Sequence, residues 1–120
     1  ELTNSLRTCI YNVRADYINF TVKNSSGLFI DNSSLGSVKI SNCNEALFSS
    51  SSVKNLGFDI NSRACFSKMK VSNLSNLNFS YIYMFDSDIG SLTNSSFSMV
   101  TSNSSRISQI KENSGVIKSE

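Results

Sequence analysis

The chain has 120 residues, of which 39% are hydrophobic and 17% charged, with a formal net charge of +2 and no Pro, Trp or His. This length bounds one domain or a segment of a longer repeat protein, and low charge at this apolar content excludes disorder, which needs high net charge and little to bury. The scattered Lys and Arg leave no electrostatic footprint for nucleic acid, no apolar stretch reaches the length needed for membrane insertion, and the lack of His removes the usual general base, the nucleophilic triads and most zinc sites.

Taken in order, residues 1–9 read as a lead-in or cap, 10–110 as repeated coils and 111–120 as a polar tail or cap. The unit is clearest at Val53-Lys54-Asn55-Leu56, which recurs eighteen residues on as Val71-Ser72-Asn73-Leu74. Extending that step both ways gives one column of Tyr17, Leu35, Val53, Val71, Ile89 and Ile107. Three residues on, a second column holds Phe20, Val38, Leu56, Leu74, Leu92 and Ile110. All twelve are apolar, far beyond what a 39% hydrophobic content gives by chance. Weaker columns run Ile10, Leu28, Ala46, Ala64, Ile82, Val100 and Ile30, Phe48, Phe66, Met84. A fixed period of this size means stacked supersecondary units, none of which closes a core alone.

Within a coil the apolar steps are short, with no sustained helical spacing, and Asn, Ser and Gly clusters separate β-branched and aromatic residues. The expected fold is therefore all-β: a single-stranded parallel β-helix of about six eighteen-residue coils, each with about three short strands. A left-handed hexapeptide coil is disfavoured because its sixfold series is broken by Ser41 and Asp59, which leaves a right-handed coil as the preferred reading. Between the two strongest apolar columns runs a polar one, Asn19, Ser37, Asn55, Asn73, Ser91, Gln109, in which stacked amides can hydrogen-bond along the axis; Asn19, Asn55 and Asn73 form its amide ladder. Asn also tolerates left-handed backbone, so this column is expected at a corner. Asn24, Asn42 and Asn78 suggest a second ladder, and Glu45 beneath Arg63, Lys68 beneath Asp86 and Lys70 beneath Asp88 place opposite charges on adjacent coils.

One column departs from single-chain logic. In a strand centred on residue 29 the neighbours 28 and 30 point inward and 29 outward. Yet that outward column reads Tyr11, Phe29, Leu47, Cys65, Tyr83, Thr101. Such a lengthwise apolar stripe is expected either to be covered within the chain or to pack against copies of itself.

Little chemistry is legible. Cys9, Cys43 and Cys65, at spacings of 34 and 22, match neither a metal knuckle nor a redox pair, and nothing asks for a metal or cofactor. Asp86 and Asp88, taken as one strand face about 6 to 7 Å apart, are the weak catalytic candidates, although a Lys beneath each favours a register role. Tyr17 and Tyr81 are candidates to stack on sugar rings.

The texture of Ser52-Val53-Lys54-Asn55-Leu56-Gly57-Phe58-Asp59-Ile60 and of Lys70-Val71-Ser72-Asn73-Leu74-Ser75-Asn76-Leu77-Asn78-Phe79 resembles the parallel β-helices of bacteriophage tailspikes and capsule depolymerases. The resemblance covers about residues 10–110. It implies a homotrimer in a virion tail or other extracellular setting, binding bacterial surface polysaccharide as a structural and receptor-binding module. A fragment of a polysaccharide lyase or hydrolase, and a bacterial adhesin solenoid, remain the alternatives.

Overall fold

The computed structural model describes residues 2–4, 7–59, 62–75, 81–93, 96–111 and 114–119. Their strands, in chain order, are β1 (Leu2–Thr3), β2 (Thr8–Tyr11), β3 (Arg14–Lys23), β4 (Leu28–Asp31), β5 (Ser34–Ser41), β6 (Ala46–Ser49) and β7 (Ser52–Asp59). There follow β8 (Arg63–Ser67), β9 (Lys70–Ser75), β10 (Tyr81–Phe85), β11 (Asp88–Thr93), β12 (Ser96–Asn103), β13 (Arg106–Lys111) and β14 (Ser114–Ser119). The odd-numbered strands form one seven-stranded parallel sheet and the even-numbered strands a second, each in sequence order. The chain is thus an all-β parallel solenoid. Six stacked strand pairs, β2–β3 to β12–β13, span about five turns, with β1 and β14 extending the pairing at the two ends.

Each coil contributes two strands, where the apolar spacing suggests three. The missing corner lies inside the odd strands: Leu35 and Val38 both point inward although three residues apart, so two consecutive residues face outward between them and the strand bends. The column of Ser37, Asn55 and Asn73 sits at this bend. Left-handed backbone is found elsewhere. The two-residue links from even to odd strands begin with Asn12, Asn32, Ser50, Lys68, Asp86 and Ser104, all with φ between 45° and 56°, and Asn4, Asn24 and Asn42 follow odd strands with similar values. Asn and Asp accept this conformation through their short polar side chains.

The tight links conserve the backbone ladder. The left-handed residue donates across the turn to the next coil, as from Ser50 N to Ser67 O at 2.9 Å and from Lys68 N to Phe85 O at 3.0 Å. The first residue of the following strand is bonded too, Ser52 N to Ser33 O at 2.9 Å and Asp88 N to Met69 O at 2.9 Å. Between them one N–H faces the interior, where an unpaired amide would be costly. A serine of the next coil accepts it: Val13 N bonds Ser33 Oγ at 3.1 Å, Ser33 N bonds Ser51 Oγ at 3.0 Å, Met69 N bonds Ser87 Oγ at 3.1 Å and Ser87 N bonds Ser105 Oγ at 3.0 Å. Each hydroxyl donates its proton two residues back, Ser33 to Asp31 O, Ser51 to Ser49 O and Ser87 to Phe85 O. The opposite corner repeats the device, with Cys43 N donating to Ser62 Oγ at 3.2 Å.

Between the sheets the described aliphatic columns are buried from Leu28 to Leu92, with Phe20 and Ile107 partly buried, and Phe48, Phe58 and Phe66 pack edge to face or tilted at centroid distances of 5.3 to 6.3 Å. The first coil corrects the eighteen-residue grid. It is two residues longer: β2 meets β4 in a step of twenty, Ala15 pairs with Leu35, and the eighteen-residue step resumes only at Asn19 opposite Ser37. Asp16, Tyr17 and Ile18 bulge outward opposite the single residue Gly36. A Cβ on Gly36 would meet the Asp16 carbonyl carbon at 2.9 Å and the Ile18 oxygen at 3.1 Å, so the bulge closes over a position that needs glycine. Tyr17 is therefore not in the core but 89% exposed, Ile10 stacks on Ile30, and Cys9 rather than Tyr11 heads the outward stripe.

Ser87→Ala removes both of its hydrogen bonds and strands the Met69 amide in the core. Urea unfolding should show a loss of about 1–3 kcal/mol, against a change within about 0.5 kcal/mol for the exposed Ser72→Ala.

Candidate functional site: two unlike outer faces

Alternation along the even strands sends every second side chain outward. On β4, β6, β8 and β10 the pattern of buried, outward, buried holds at 28–30, 46–48, 64–66 and 82–84. Across each strand the outward positions, counting the residue just before the strand where β4 and β6 begin one residue later, are Gly27, Phe29 and Asp31; Glu45, Leu47 and Ser49; Arg63, Cys65 and Ser67; and Tyr81, Tyr83 and Phe85. The central line Phe29, Leu47, Cys65, Tyr83 is the lengthwise stripe. It lies at the surface, with Phe29 39% and Leu47 37% exposed. Tyr83 leans on Phe85 with ring centroids 5.1 Å apart, so β10 carries aromatic side chains across its whole width. Tyr11 projects at the first rung beside Asp31. The side chain of Thr101 lies outside those described.

Beside this stripe a shallow groove is lined by Ser26, Asn44, Glu45, Leu47, Arg63, Ala64 and Cys65. Glu45 and Arg63 are one rung apart, as the grid requires, yet among the described residues no ion pair joins them.

The outer face of the odd sheet is different. It presents Lys39, Lys54, Gly57, Ser72 and Gly90 around the polar column at the bend. Asn73 Nδ2 donates to Asn55 Oδ1 at 2.9 Å and Ser91 Oγ donates to Asn73 Oδ1 at 2.7 Å; Asn19 stands in register with Ser37 lower in the same column. At the corners Asn42 donates to Asn24 at 2.9 Å and Asn32 to Asn12 at 2.5 Å. The latter pair does not show on an eighteen-residue grid, because the extra residues of the first coil separate it by twenty. Asn78 lies outside the described residues. Tyr17 and Ile18, the latter 46% exposed, project from the bulge at the first coil, where Asp16 accepts a hydrogen bond from Ser34.

The acidic pair does not lie on one strand face. Asp86 is the left-handed residue of a tight link and Asp88 opens β11, with the buried Ser87 between them. Asp88 is bound from the next coil by Arg106, Nη2 to Oδ2 at 2.9 Å and Nε to Oδ1 at 3.3 Å. That guanidinium hydrogen bond, with the Arg106 and Lys70 charges above and below, holds the carboxyl below the usual Asp range and so keeps it ionised. Arg106 is one period beyond Asp88 and was legible on the same grid as Lys70. Burial raises the Cys43 thiol, Cys9 is exposed and Cys65 half-buried. Among the described residues no group of three or more Cys, Asp and Glu gathers to hold a metal ion, and no helix is long and apolar enough to cross a membrane. No protein-family model, curated protein or solved structure matches the chain.

A carboxylate whose pKa is lowered on folding contributes stability above its unfolded value of about 3.9 and loses it as pH falls through the lower folded value. The Asp88 titration, followed by carboxyl NMR, should have its midpoint below that of a free Asp and return upward in Arg106→Ala.

Proposed function

We propose that this solenoid is a structural and glycan-binding module, of the kind the tailspike and tail-fibre resemblance implies, which acts outside the cell or in a virion tail. The observation that carries the reading is the contrast between its two outer faces. The even face lines up Phe29, Leu47, Cys65 and Tyr83 at the surface, where apolar side chains are better buried against another molecule. We assign that face to a second copy of the chain, since a repeating surface most readily meets a surface of the same repeat. The odd face carries hydrogen-bonding amides and hydroxyls at the spacing of the rungs, about 4.8 Å, and the exposed Tyr17 ring beside them. Amide and hydroxyl rows with an aromatic platform suit the hydroxyls and C–H faces of a polysaccharide.

A reading as a lyase or hydrolase fragment finds little support. Asp88 is committed to Arg106, and an ionised carboxylate cannot serve as the protonating acid of glycoside cleavage.

Light scattering should give a mass above that of the 13.2 kDa monomer for the wild type, and a folded monomer for Leu47→Lys, which would bury an unpaired charge at the centre of the stripe. On an array of bacterial capsule and O-antigen polysaccharides, Tyr17→Ala should lose most of the wild-type signal. A monomeric wild type would count against self-association, and a silent array against the glycan reading.

A further inference from the structure

The even face is also self-complementary about a particular axis, and its charges pick that axis out. Resting on the reading of that face as a self-association surface, we infer that two copies meet there about a two-fold axis. The axis runs parallel to the strands between β6 and β8, so that the solenoids lie antiparallel.

A two-fold rotation of this kind preserves strand direction and reverses stacking order. It lays β6 of one copy over β8 of the other, and β4 over β10. Glu45 then faces Arg63 of the second copy, and by symmetry Arg63 faces its Glu45, which makes two ion pairs from groups that are not paired within the chain. Sizes match as well. Leu47 lies over Cys65 and Phe29 over Tyr83, while Tyr81, 42% exposed, projects at Gly27, the one outward position on these four strands without a side chain. Asp31 opposite Phe85, at the other rim, is the mismatch. Sheets packed in this way sit about 10 Å apart with their strands within about 30° of parallel.

The three-fold parallel bundle implied by the tailspike resemblance brings like rungs together. Glu45 would then lie beside Ser49 and Arg63 beside Ser67, so that neither charge gains a counter-charge from the neighbouring copy at a desolvated rim. The antiparallel pair removes that cost. It also leaves the polar odd sheets on opposite outer surfaces, free for glycan.

Charge exchange tests the arrangement. Sedimentation should find the wild type dimeric, and Glu45→Arg and Arg63→Glu each weakened at least about tenfold in self-association. Mixing the two variants should restore a dimer, because every Arg then faces a Glu across the axis. Circular dichroism melts of each variant check that it is folded. The milder Glu45→Gln and Arg63→Gln changes should weaken the dimer in the same direction and reduce its sensitivity to salt. A monomeric wild type would overturn self-association altogether. A wild-type oligomer that ignores both charge variants, fails to recover on mixing, or has the mass of three chains would overturn the two-fold arrangement while leaving self-association standing.

Discussion

A chain that turns back within two residues, at the edge of a dry core, must find an acceptor for one inward-facing amide at every turn. Here the acceptor is a serine hydroxyl from the coil above, and the same hydroxyl gives its proton to the carbonyl two residues behind it. The arrangement satisfies both coils only when the next coil is in register, so the hydrogen bond that closes a corner also fixes the stacking. Met69 interrupts the series, having no hydroxyl to offer Ser51, and the column resumes at Ser87. Regular stacking then places Ile on Ile, Phe on Phe and Asn on Asn along the axis.

Register has a second consequence, at the surface. With the inner positions of both sheets committed to the core, side chains on the alternate positions have no choice but to face outward, whatever their chemistry. In the odd sheet those positions hold Asn, Ser, Lys and Gly, which remain solvated or bond to one another along the axis. In the even sheet they hold Phe29, Leu47, Cys65 and Tyr83 along the central line, with Tyr81 and Phe85 beside Tyr83 and polar or charged residues along much of the two rims. The same geometry thus yields a polar ladder on one side and an apolar surface on the other. The difference between the two sides follows from residue chemistry at equivalent positions of one repeating backbone.

Charges follow the same logic. Lys70, Asp88 and Arg106 occupy one column on three successive rungs, where Asp88 sits between two cations and is ion-paired with Arg106. Glu45 and Arg63 have the same spacing but flank a groove and remain unpaired. Identical sequence separation gives an internal ion pair in one column and free partners in the other.

The sequence by itself determined the solenoid. Its period, the two apolar columns and the outward stripe through Phe29, Leu47, Cys65 and Tyr83 follow from residue spacing, because in-register parallel pairing converts a sequence period directly into a spatial column. It also placed Asn55 beneath Asn73 and Lys70 beneath Asp88. Only the tertiary structure decided that each coil has two strands, since the polar column of Ser37, Asn55 and Asn73 marks the bend but the backbone pairing continues through it. It moved the left-handed corners to positions such as Lys68 and Ser50, whose side chains do not signal that conformation. It also exposed Tyr17, because a two-residue insertion slips every earlier column and is visible only through Gly36, the position over which the bulge must close.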